Sequence, residues 1–332
     1  MKLLYEGMPL EFDGVSNAAG TCKTPEEIAI AIEADVPEPA LGSITLAHRE
    51  INGPGNTFYY DEATGNSVNS LGIPNGGWEY YSKNLVRMVR SAQTRGKRLR
   101  ISVAEFSPES MWQLIANIIS LLEERDLLDW IILELNFGCP NCWDGGQQKQ
   151  IVAYAPEVLI RILRDIFNLT RGRVRLAIKL SPYDKQKRTY VQIRSDIATG
   201  LKDELYVYHG AYPKAVVELV LANTVPNYFM RKPDGSPALD VTNGYGGLAG
   251  RGLKPYIDDN LAFFRNALPD IPLVAAGGIQ SAADVLDYLK RGATKVQLNT
   301  EISRNKAGLR AGFKVIPQIN QGLIDLVTVV ED

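Results

Sequence analysis

A cysteine and a lysine in this sequence have the type and the setting to do chemistry. Cys139 lies within Asn136-Phe137-Gly138-Cys139-Pro140-Asn141, where amides flank it on both sides. A free thiol, with a pKa of about 8.5, can serve as a general base at alkaline pH. Lys179 lies in the otherwise apolar segment IKLS (178–181), where a cation needs an anionic or strongly hydrogen-bonding partner. The chain therefore carries a candidate base and a candidate buried cation.

Cys139 and Cys142 together form C-x-x-C, a spacing used by zinc sites and by redox dithiols. Cys22 is the only other cysteine in the sequence, so a second zinc-binding pair is absent. A redox dithiol normally begins a helix, whereas the Gly- and Gln-rich stretch WDGGQQKQ (143–150) follows here. We interpret Cys139 as a single reactive thiol and expect little contribution from Cys142. A paired dithiol and a merely buried cysteine are the alternatives.

Two glycine-rich segments could approach a ligand through their backbone. Residues 244–249 fit G-x-G-x-x-A, but LDVTN precedes them as a poor buried strand and RGLKP follows where a helix should continue. We therefore reject a dinucleotide fold and expect a loop whose N–H groups meet an anion or a flat ring. The segment AAGGIQSAAD (275–284) places two glycines at a strand end and a serine at a helix start. Barrels often bind phosphate at such a place, although an ordinary connecting loop is the alternative.

Composition excludes several classes of protein. The 332 residues include 36 Lys and Arg against 38 Asp and Glu, a formal net charge of −2, whereas nucleic-acid binders show a basic excess. The 2 histidines exclude a His-rich metal site, and the 3 cysteines exclude a disulfide framework and fit a reducing compartment. The sequence holds no apolar run of about 18 residues and no signal-peptide core. We expect a cytoplasmic protein with neither nucleic acid nor membrane as a partner.

Apolar segments alternate with segments of helical period along most of the chain. Parallel strands that are covered on both faces read as such near-continuous apolar runs. Eight strands are predicted, at 14–20, 42–46, 98–106, 130–138, 174–180, 216–224, 272–278 and 295–300. Helices are predicted at 24–34, 107–125, 155–167, 258–268 and 281–293, the first two opening on the N-caps Thr24 and Ser107. The pattern indicates an α/β fold, a (β/α)8 TIM barrel of one domain over 1–332, with a doubly wound open sheet as the alternative.

Polar residues collect where these strands end, which is where a barrel places its chemistry. They form a set of amides, glycines, a thiol and a lysine. The set comprises Asn17-Ala18-Ala19-Gly20, residues 136–141, Lys179, Asn223-Thr224, Gly277-Gly278 and Asn299-Thr300. Turn formation explains the glycines, but it explains neither Lys179 nor Cys139.

Taken together, these segments resemble the dihydroorotate dehydrogenase family over nearly the whole chain. NFGCPN (136–141) is similar to the family's N-L-S-C-P-N, and further matching motifs follow the family's order. They are NAAG (17–20), NSLGIPN (69–75), IKLSPY (178–183), GYGGLAGRGLKP (244–255) and AAGGI (275–279). The resemblance implies an FMN-binding barrel with inserted loops at its C-terminal face. The cysteine base and PGN (54–56) resemble the single-chain homodimers that use fumarate as electron acceptor.

The resemblance also implies roles for individual residues. Asn136 would serve both substrate and cofactor, and Lys179 would serve both catalysis and cofactor. The substrate-binding residues would be Asn69, Leu71, Gly72, Ile73, Asn136, Asn141, Asn223 and Thr224. The FMN-binding residues would be Ala19, Gly20, Asn136, Lys179, Gly246, Gly247, Gly277, Gly278, Asn299 and Thr300.

The implied reaction oxidises a C–C single bond of dihydroorotate. Cys139 would remove a proton from C5 while a hydride leaves C6 for flavin N5. Lys179 would stabilise the negative charge that collects near flavin N1 and O2 on reduction. The polar segment 139–153 would close over the substrate as a lid.

Two departures from the family pattern bear on the substrate. The family's lysine at the end of strand two is replaced, in our alignment, by Leu46, with His48 and Arg49 as candidate substitutes. The family's G-T at the end of strand eight is Asn299-Thr300. The alternatives to dihydroorotate oxidation are a flavoenzyme for another dihydropyrimidine or cyclic amide, and an FMN-binding homologue without this turnover. A tRNA-dihydrouridine enzyme is a third, which the missing basic excess disfavours.

Overall fold

The computed structural model describes the protein over residues 1–144, 147–241 and 243–330. The strands are β1 (Lys2–Tyr5), β2 (Met8–Glu11), β3 (Val15–Asn17), β4 (Ala40–Ile44), β5 (Phe58–Asp61), β6 (Asn66–Asn69), β7 (Leu99–Val103), β8 (Ile131–Asn136), β9 (Trp143–Asp144), β10 (Gln147–Gln148), β11 (Arg175–Lys179), β12 (Val217–Leu221), β13 (Val225–Phe229), β14 (Tyr245–Gly250), β15 (Leu273–Ala276), β16 (Lys295–Leu298) and β17 (Thr328–Val330). The helices are α1 (Pro25–Glu33), α2 (Gly77–Gln93), α3 (Pro108–Glu123), α4 (Pro156–Thr170), α5 (Arg188–Ala211), α6 (Lys254–Ala267), α7 (Ala282–Lys290), α8 (Thr300–Ser303), α9 (Leu309–Phe313) and α10 (Val315–Leu326).

Eight parallel strands form one sheet in the order β3-β16-β15-β12-β11-β8-β7-β4. The two end strands meet along a seam in which the Asn17 side chain replaces the backbone ladder. Its amide donates to the Ala40 carbonyl at 2.9 Å and its oxygen accepts from the Ala40 N–H at 3.0 Å. Beyond it, the Gly42 N–H donates to the Cys22 carbonyl at 3.0 Å. The predicted (β/α)8 barrel and all eight predicted strands are confirmed, and the open sheet is excluded.

The helices lie around this barrel, and their starts follow the chemistry of their caps. Thr24 accepts from the N–H of Glu27 and begins α1, and Ser107 accepts from the N–H of Ser110 and begins α3. Of the predicted helices, α6 begins earlier than expected, at Lys254. Five further helices were not predicted from the sequence, namely α2, α5, α8, α9 and α10. Within the described residues, none of the helices has the length and apolar character needed to cross a membrane.

A second sheet is inserted at the carboxyl-terminal rim of the barrel. It is antiparallel, in the order β13-β14-β6-β5, and is built from the connections that follow β4 and β12. The prediction of a glycine-rich loop at 244–249 is wrong, because these residues form most of β14. Strand β14 pairs with β6, and Gly247 lies opposite Asn69. Its glycines allow a close approach: a methyl group on Gly247 would overlap the Thr224 hydroxyl, and one on Gly246 would overlap the Asn69 carbonyl.

Candidate active site

A cavity of about 280 Å³ opens at the carboxyl-terminal ends of the barrel strands, beneath the inserted sheet. This volume is close to the lower end of the range for small-molecule sites, about 300 Å³. Most of the residues singled out from the sequence line it. They are Ala19, Gly20, Asn69, Leu71, Gly72, Ile73, Asn136, Cys139, Asn141, Lys179, Asn223, Thr224, Gly277, Asn299 and Thr300. Residues far apart in sequence therefore converge on one pocket.

Three of the predicted FMN-binding residues do not line the cavity, namely Gly246, Gly247 and Gly278. The first two allow β14 to pack against its neighbours, as described above. A methyl group on Gly278 would lie 2.6 Å from the Tyr288 hydroxyl, so this glycine faces the packing behind the loop. These three glycines allow close packing of the residues behind the cavity wall.

The amides of the cavity hold one another in fixed orientations. The Asn136 amide donates to the Ser43 hydroxyl at 2.8 Å, and its oxygen accepts from the Asn223 amide at 3.0 Å. The Asn141 amide donates to the side-chain oxygen of Asn69 at 2.9 Å. Such pre-oriented donors and acceptors suit a flat ring with alternating polar atoms, because a buried polar atom left unpaired is costly.

Thr224 supplies a hydroxyl without a partner. Its Oγ is buried and makes no hydrogen bond within the described chain, although the residue lines the cavity. Buried polar atoms in native proteins are nearly always paired, so this unpaired hydroxyl, which lies against Gly247 of β14, is an exception.

Cys139 is half-buried at the cavity wall, next to the buried Cys142. The pKa of Cys139 is lowered, and the largest cause is a hydrogen bond from the Cys142 thiol. Burial acts in the opposite direction and raises this pKa, whereas the Asn141 N–H and the charges of Lys179 and Arg49 lower it further. The same hydrogen bond, together with burial, raises the pKa of Cys142 well above its usual value. The two directions favour Cys139 over Cys142 as the residue with thiolate character. This direction supports Cys139 as the single base, and the expectation that Cys142 contributes little stays a prediction.

Lys179 is anchored from inside the barrel by a buried carboxylate. Its ammonium lies 3.2 Å from the Glu134 carboxylate on the neighbouring strand, and Arg100 lies 3.6 Å from the other oxygen of Glu134. Burial alone would raise the pKa of Glu134, but the charges of Lys179 and Arg100 outweigh it and lower the pKa. Glu134 is therefore ionised, and it holds the lysine at the floor of the cavity.

Arg100 extends this network to the bottom of the barrel. Its guanidinium, 0% exposed, also pairs with Glu38 and Glu218. Lys295 lies 2.6 Å from Glu38 and 2.9 Å from Glu218, so three cations balance three carboxylates. The barrel interior is charged but neutral in sum, which is the condition under which buried ions are tolerated.

Strand β4 contributes Gly42 and Ser43 to the cavity, but Leu46 does not line it. Leu46 packs against the core, and its N–H donates to the Glu105 carboxylate at 2.5 Å. The replacement of a family lysine by Leu46 stays a prediction, and the β4 residues that line the cavity, Gly42 and Ser43, carry no charge.

The two candidate substitutes for the lysine are also absent from the cavity lining. His48 is exposed and lies 2.6 Å from Glu50. Arg49 donates to the Gly72 carbonyl at 3.2 Å, and its guanidinium lies over the ring of Phe106. A different lysine, Lys23, lines the cavity and was missed from the sequence, where it reads as a residue of the turn before α1.

The ends of β3, β15 and β16 contribute an open rim to the cavity. A methyl group on Gly20 would have only the Asn299 amide within 4 Å, at 3.8 Å. The Thr300 hydroxyl lies 3.0 Å from that of Ser67, and Asn299 accepts from the Thr21 hydroxyl at 3.1 Å. Hydroxyls and glycines at a strand-to-helix junction are suited to an anion. Among the described residues, no cluster of His, Cys, Asp and Glu could hold a metal ion.

The segment after Cys139 forms a short hairpin of β9 and β10. The Lys149 N–H donates to the Cys142 carbonyl at 2.8 Å, and the Gln148 amide donates to the Pro140 carbonyl at 2.6 Å. Residues 145 and 146 of the expected lid lie outside the described residues. The lid at 139–153 stays a prediction.

Comparison with known proteins agrees with this architecture. The family model described as dihydroorotate dehydrogenase matches residues 8–327. A probable dihydroorotate dehydrogenase A (fumarate) from Streptococcus pneumoniae is 28% identical over 323 residues, 95% of this chain and 91% of that protein. A dihydroorotate dehydrogenase (fumarate) from Lachancea kluyveri is 29% identical over 263 residues, 79% of this chain and 73% of that protein.

A solved structure agrees with the fold. The crystal structure of DHODH in complex with ferulenol from Eimeria tenella superposes with a TM-score of 0.69 at 15% identity. The match covers 98% of this chain and 84% of that one.

The barrel and its amide- and thiol-lined pocket define a (β/α)8-barrel oxidoreductase with a small-molecule site at the carboxyl-terminal rim. The chain belongs to the dihydroorotate dehydrogenase family, whose members are flavin-dependent.

Proposed function

We propose that the protein is an FMN-dependent dehydrogenase that oxidises dihydroorotate to orotate and passes the electrons to fumarate. The observation that carries the proposal is the convergence of Cys139, Lys179 and five asparagine amides on one cavity, in a chain of this family. The names of the relatives support dihydroorotate as the substrate and fumarate as the acceptor. The homodimer, the cytoplasmic location and the absence of a nucleic-acid partner stay predictions.

The residues present fit a flavin mononucleotide. The open rim at Gly20, Gly277 and Thr300 leaves space and N–H and O–H donors for a phosphate. Lys179, held by Glu134, would lie where negative charge collects on the ring system. When bound, FMN supplies the acceptor for a hydride.

The substrate ring would lie against the amide cluster. Asn136 and Asn223 hydrogen-bond one another and Asn141 is fixed by Asn69, so each amide presents its remaining donors and acceptors in a set direction. The Thr224 hydroxyl has no hydrogen-bond partner in the described chain, and a heteroatom of the substrate ring would supply one.

The substrate carboxylate would be held by the backbone of Leu71, Gly72 and Ile73. Gly72 and Ile73 have φ of 81° and 61°, a turn of the kind that presents successive N–H groups to an anion. Positive φ is strained for a β-branched residue, and such strain collects at ligand sites. Within the described chain, the N–H groups of these three residues make no hydrogen bond.

Cys139 would remove the proton from C5 of the ring. Its lowered pKa increases the thiolate fraction at neutral pH, and a positioned base contributes about 10²–10⁴-fold to such a step. Removal of the C5 proton and departure of a hydride from C6 leave the C5–C6 double bond of orotate.

The proposal is tested by cofactor content and by turnover. The purified protein should release about one FMN per chain on denaturation, and dihydroorotate with fumarate should yield orotate and succinate. A protein that takes up no FMN would refute the assignment. Turnover of dihydrouracil but not of dihydroorotate would instead favour the family-like enzyme for a neutral cyclic amide.

A further inference from the structure

The charges that line the cavity are unevenly compensated. Among the described lining residues, Lys23 and Lys179 are the only charged side chains. Glu134 neutralises Lys179 at 3.2 Å, whereas the ammonium of Lys23 has no carboxylate within 4.0 Å in the described chain. The nearby Glu27 carboxylate is occupied by the N–H groups of Lys23 and Thr24, which it caps at 2.6 and 3.0 Å. Among the described lining residues, Lys23 is therefore the cation without a carboxylate partner.

Lys23 lines the same cavity as the loop that would hold the substrate carboxylate. Its carbonyl accepts from the Tyr81 hydroxyl at 3.2 Å, and Tyr81 belongs to α2, which begins directly after the loop 71–76. On its other side, the preceding Cys22 bridges to Leu41 of β4, next to Gly42. The backbone at Lys23 is thus fixed between β4 and α2.

Strand β4 cannot supply a cation at this corner of the cavity. Gly42 has a φ of 104°, and a Cβ there would lie 2.6 Å from the Ser102 carbonyl and 2.9 Å from the Ile44 nitrogen. A side chain at Gly42 is therefore excluded by its own backbone conformation and by backbone contacts that cannot give way. His48 and Arg49 do not line the cavity, although Arg49 donates to the Gly72 carbonyl; among the described lining residues, Lys23 is the cation without a carboxylate within 4.0 Å.

We propose that Lys23 binds the carboxylate of dihydroorotate and orotate together with the N–H groups of Leu71, Gly72 and Ile73, and so selects carboxylated over neutral dihydropyrimidines. This inference rests on the proposed function. It makes Lys23, rather than a residue of the second barrel strand, the residue that determines substrate specificity.

The test measures binding instead of turnover. Orotate and uracil, which lacks the carboxylate, are titrated into the FMN-loaded protein and followed by the change in flavin absorbance. Lys23→Met keeps the length of the side chain and removes its charge, and it should weaken orotate binding by about 10- to 150-fold. Uracil affinity and FMN content should be unchanged. Lys23→Arg should retain most of the orotate affinity, and Lys83→Met, at an exposed lysine of α2, should leave it at the wild-type value.

Each outcome separates the inference from the function on which it rests. Equal orotate affinity in wild type and Lys23→Met would overturn the role of Lys23 and leave the proposed function standing. Loss of FMN from Lys23→Met would also overturn the proposed role of Lys23, because the lysine charge would then bind the cofactor instead of the substrate. A wild-type protein that holds FMN but binds no orotate would contradict the proposed function itself.

Discussion

Replacing Glu134 with glutamine removes the carboxylate that anchors Lys179 and leaves the shape of the side chain nearly unchanged. Both side chains are buried, at 0% and 5% exposure, and their charged atoms lie 3.2 Å apart. At an effective dielectric constant of about 20, unit charges at that distance attract by about 5 kcal/mol. Breaking a buried pair from one side costs about 3–5 kcal/mol, because the remaining charge loses its partner. We expect the free energy of unfolding of Glu134→Gln to fall by about 3–5 kcal/mol.

The assay is urea unfolding at pH 7, with Glu79→Gln as the matched control. Glu79 lies 3.0 Å from Lys83, but the two side chains are 88% and 69% exposed, so this control should change the free energy of unfolding by less than about 0.5 kcal/mol. A loss below about 1 kcal/mol in Glu134→Gln would refute the view that the barrel interior depends on this ion pair.

The same comparison has a pH dependence with a defined sign. Because the pKa of Glu134 is lowered in the folded protein, its contribution to stability is complete above the unfolded carboxyl pKa of about 4.3. The contribution is lost as the pH falls through the lowered folded value. The stability gap between wild type and Glu134→Gln should therefore stay constant from pH 8 to pH 6 and narrow below about pH 4.3. A gap that widens on acidification would contradict the assignment of Glu134 as ionised.

Three further changes have expected outcomes. Cys142→Ala removes the hydrogen bond that lowers the pKa of Cys139. The rising limb of the rate of flavin reduction against pH should therefore move to higher pH. A limb that does not move would contradict the role of Cys142 in lowering this pKa. Gly42→Ala should lower the free energy of unfolding by at least about 1–3 kcal/mol, since its φ is 104°, and unchanged thermal unfolding would count against this strain. Thr224→Val removes a buried unpaired hydroxyl and should stabilise the ligand-free protein by about 1–3 kcal/mol while weakening orotate binding; tighter orotate binding would exclude the hydroxyl as a ligand contact.

The barrel strands could be predicted because each is buried on both faces and reads as an apolar run bounded by turn residues. The candidate site could be predicted for the same reason, since amides, a thiol and a lysine stand out at the ends of such strands. Strand β14 could not be predicted, because its glycines have low strand propensity. Its partner strand β6 is also nearly 180 residues away in the sequence.

Lys23 was missed because its role depends on barrel closure rather than on its sequence neighbours. Between Cys22 and Thr24 it reads as part of a helix start, and the seam that brings it beside Gly42 is long-range. Arg100 and Glu218 likewise read as single charges within apolar strands. Their pairing across the barrel joins residues 118 positions apart, which no local pattern encodes.

The central claim is that Cys139 acts as the base in dihydroorotate oxidation, and anaerobic mixing of the FMN-loaded protein with dihydroorotate tests it most directly. The bound flavin should bleach in the wild type with about one orotate formed per flavin. Cys139→Ala should retain FMN and bleach about 10²–10⁴-fold more slowly. Flavin that stays oxidised in the wild type, or that bleaches equally fast in Cys139→Ala, would contradict the claim.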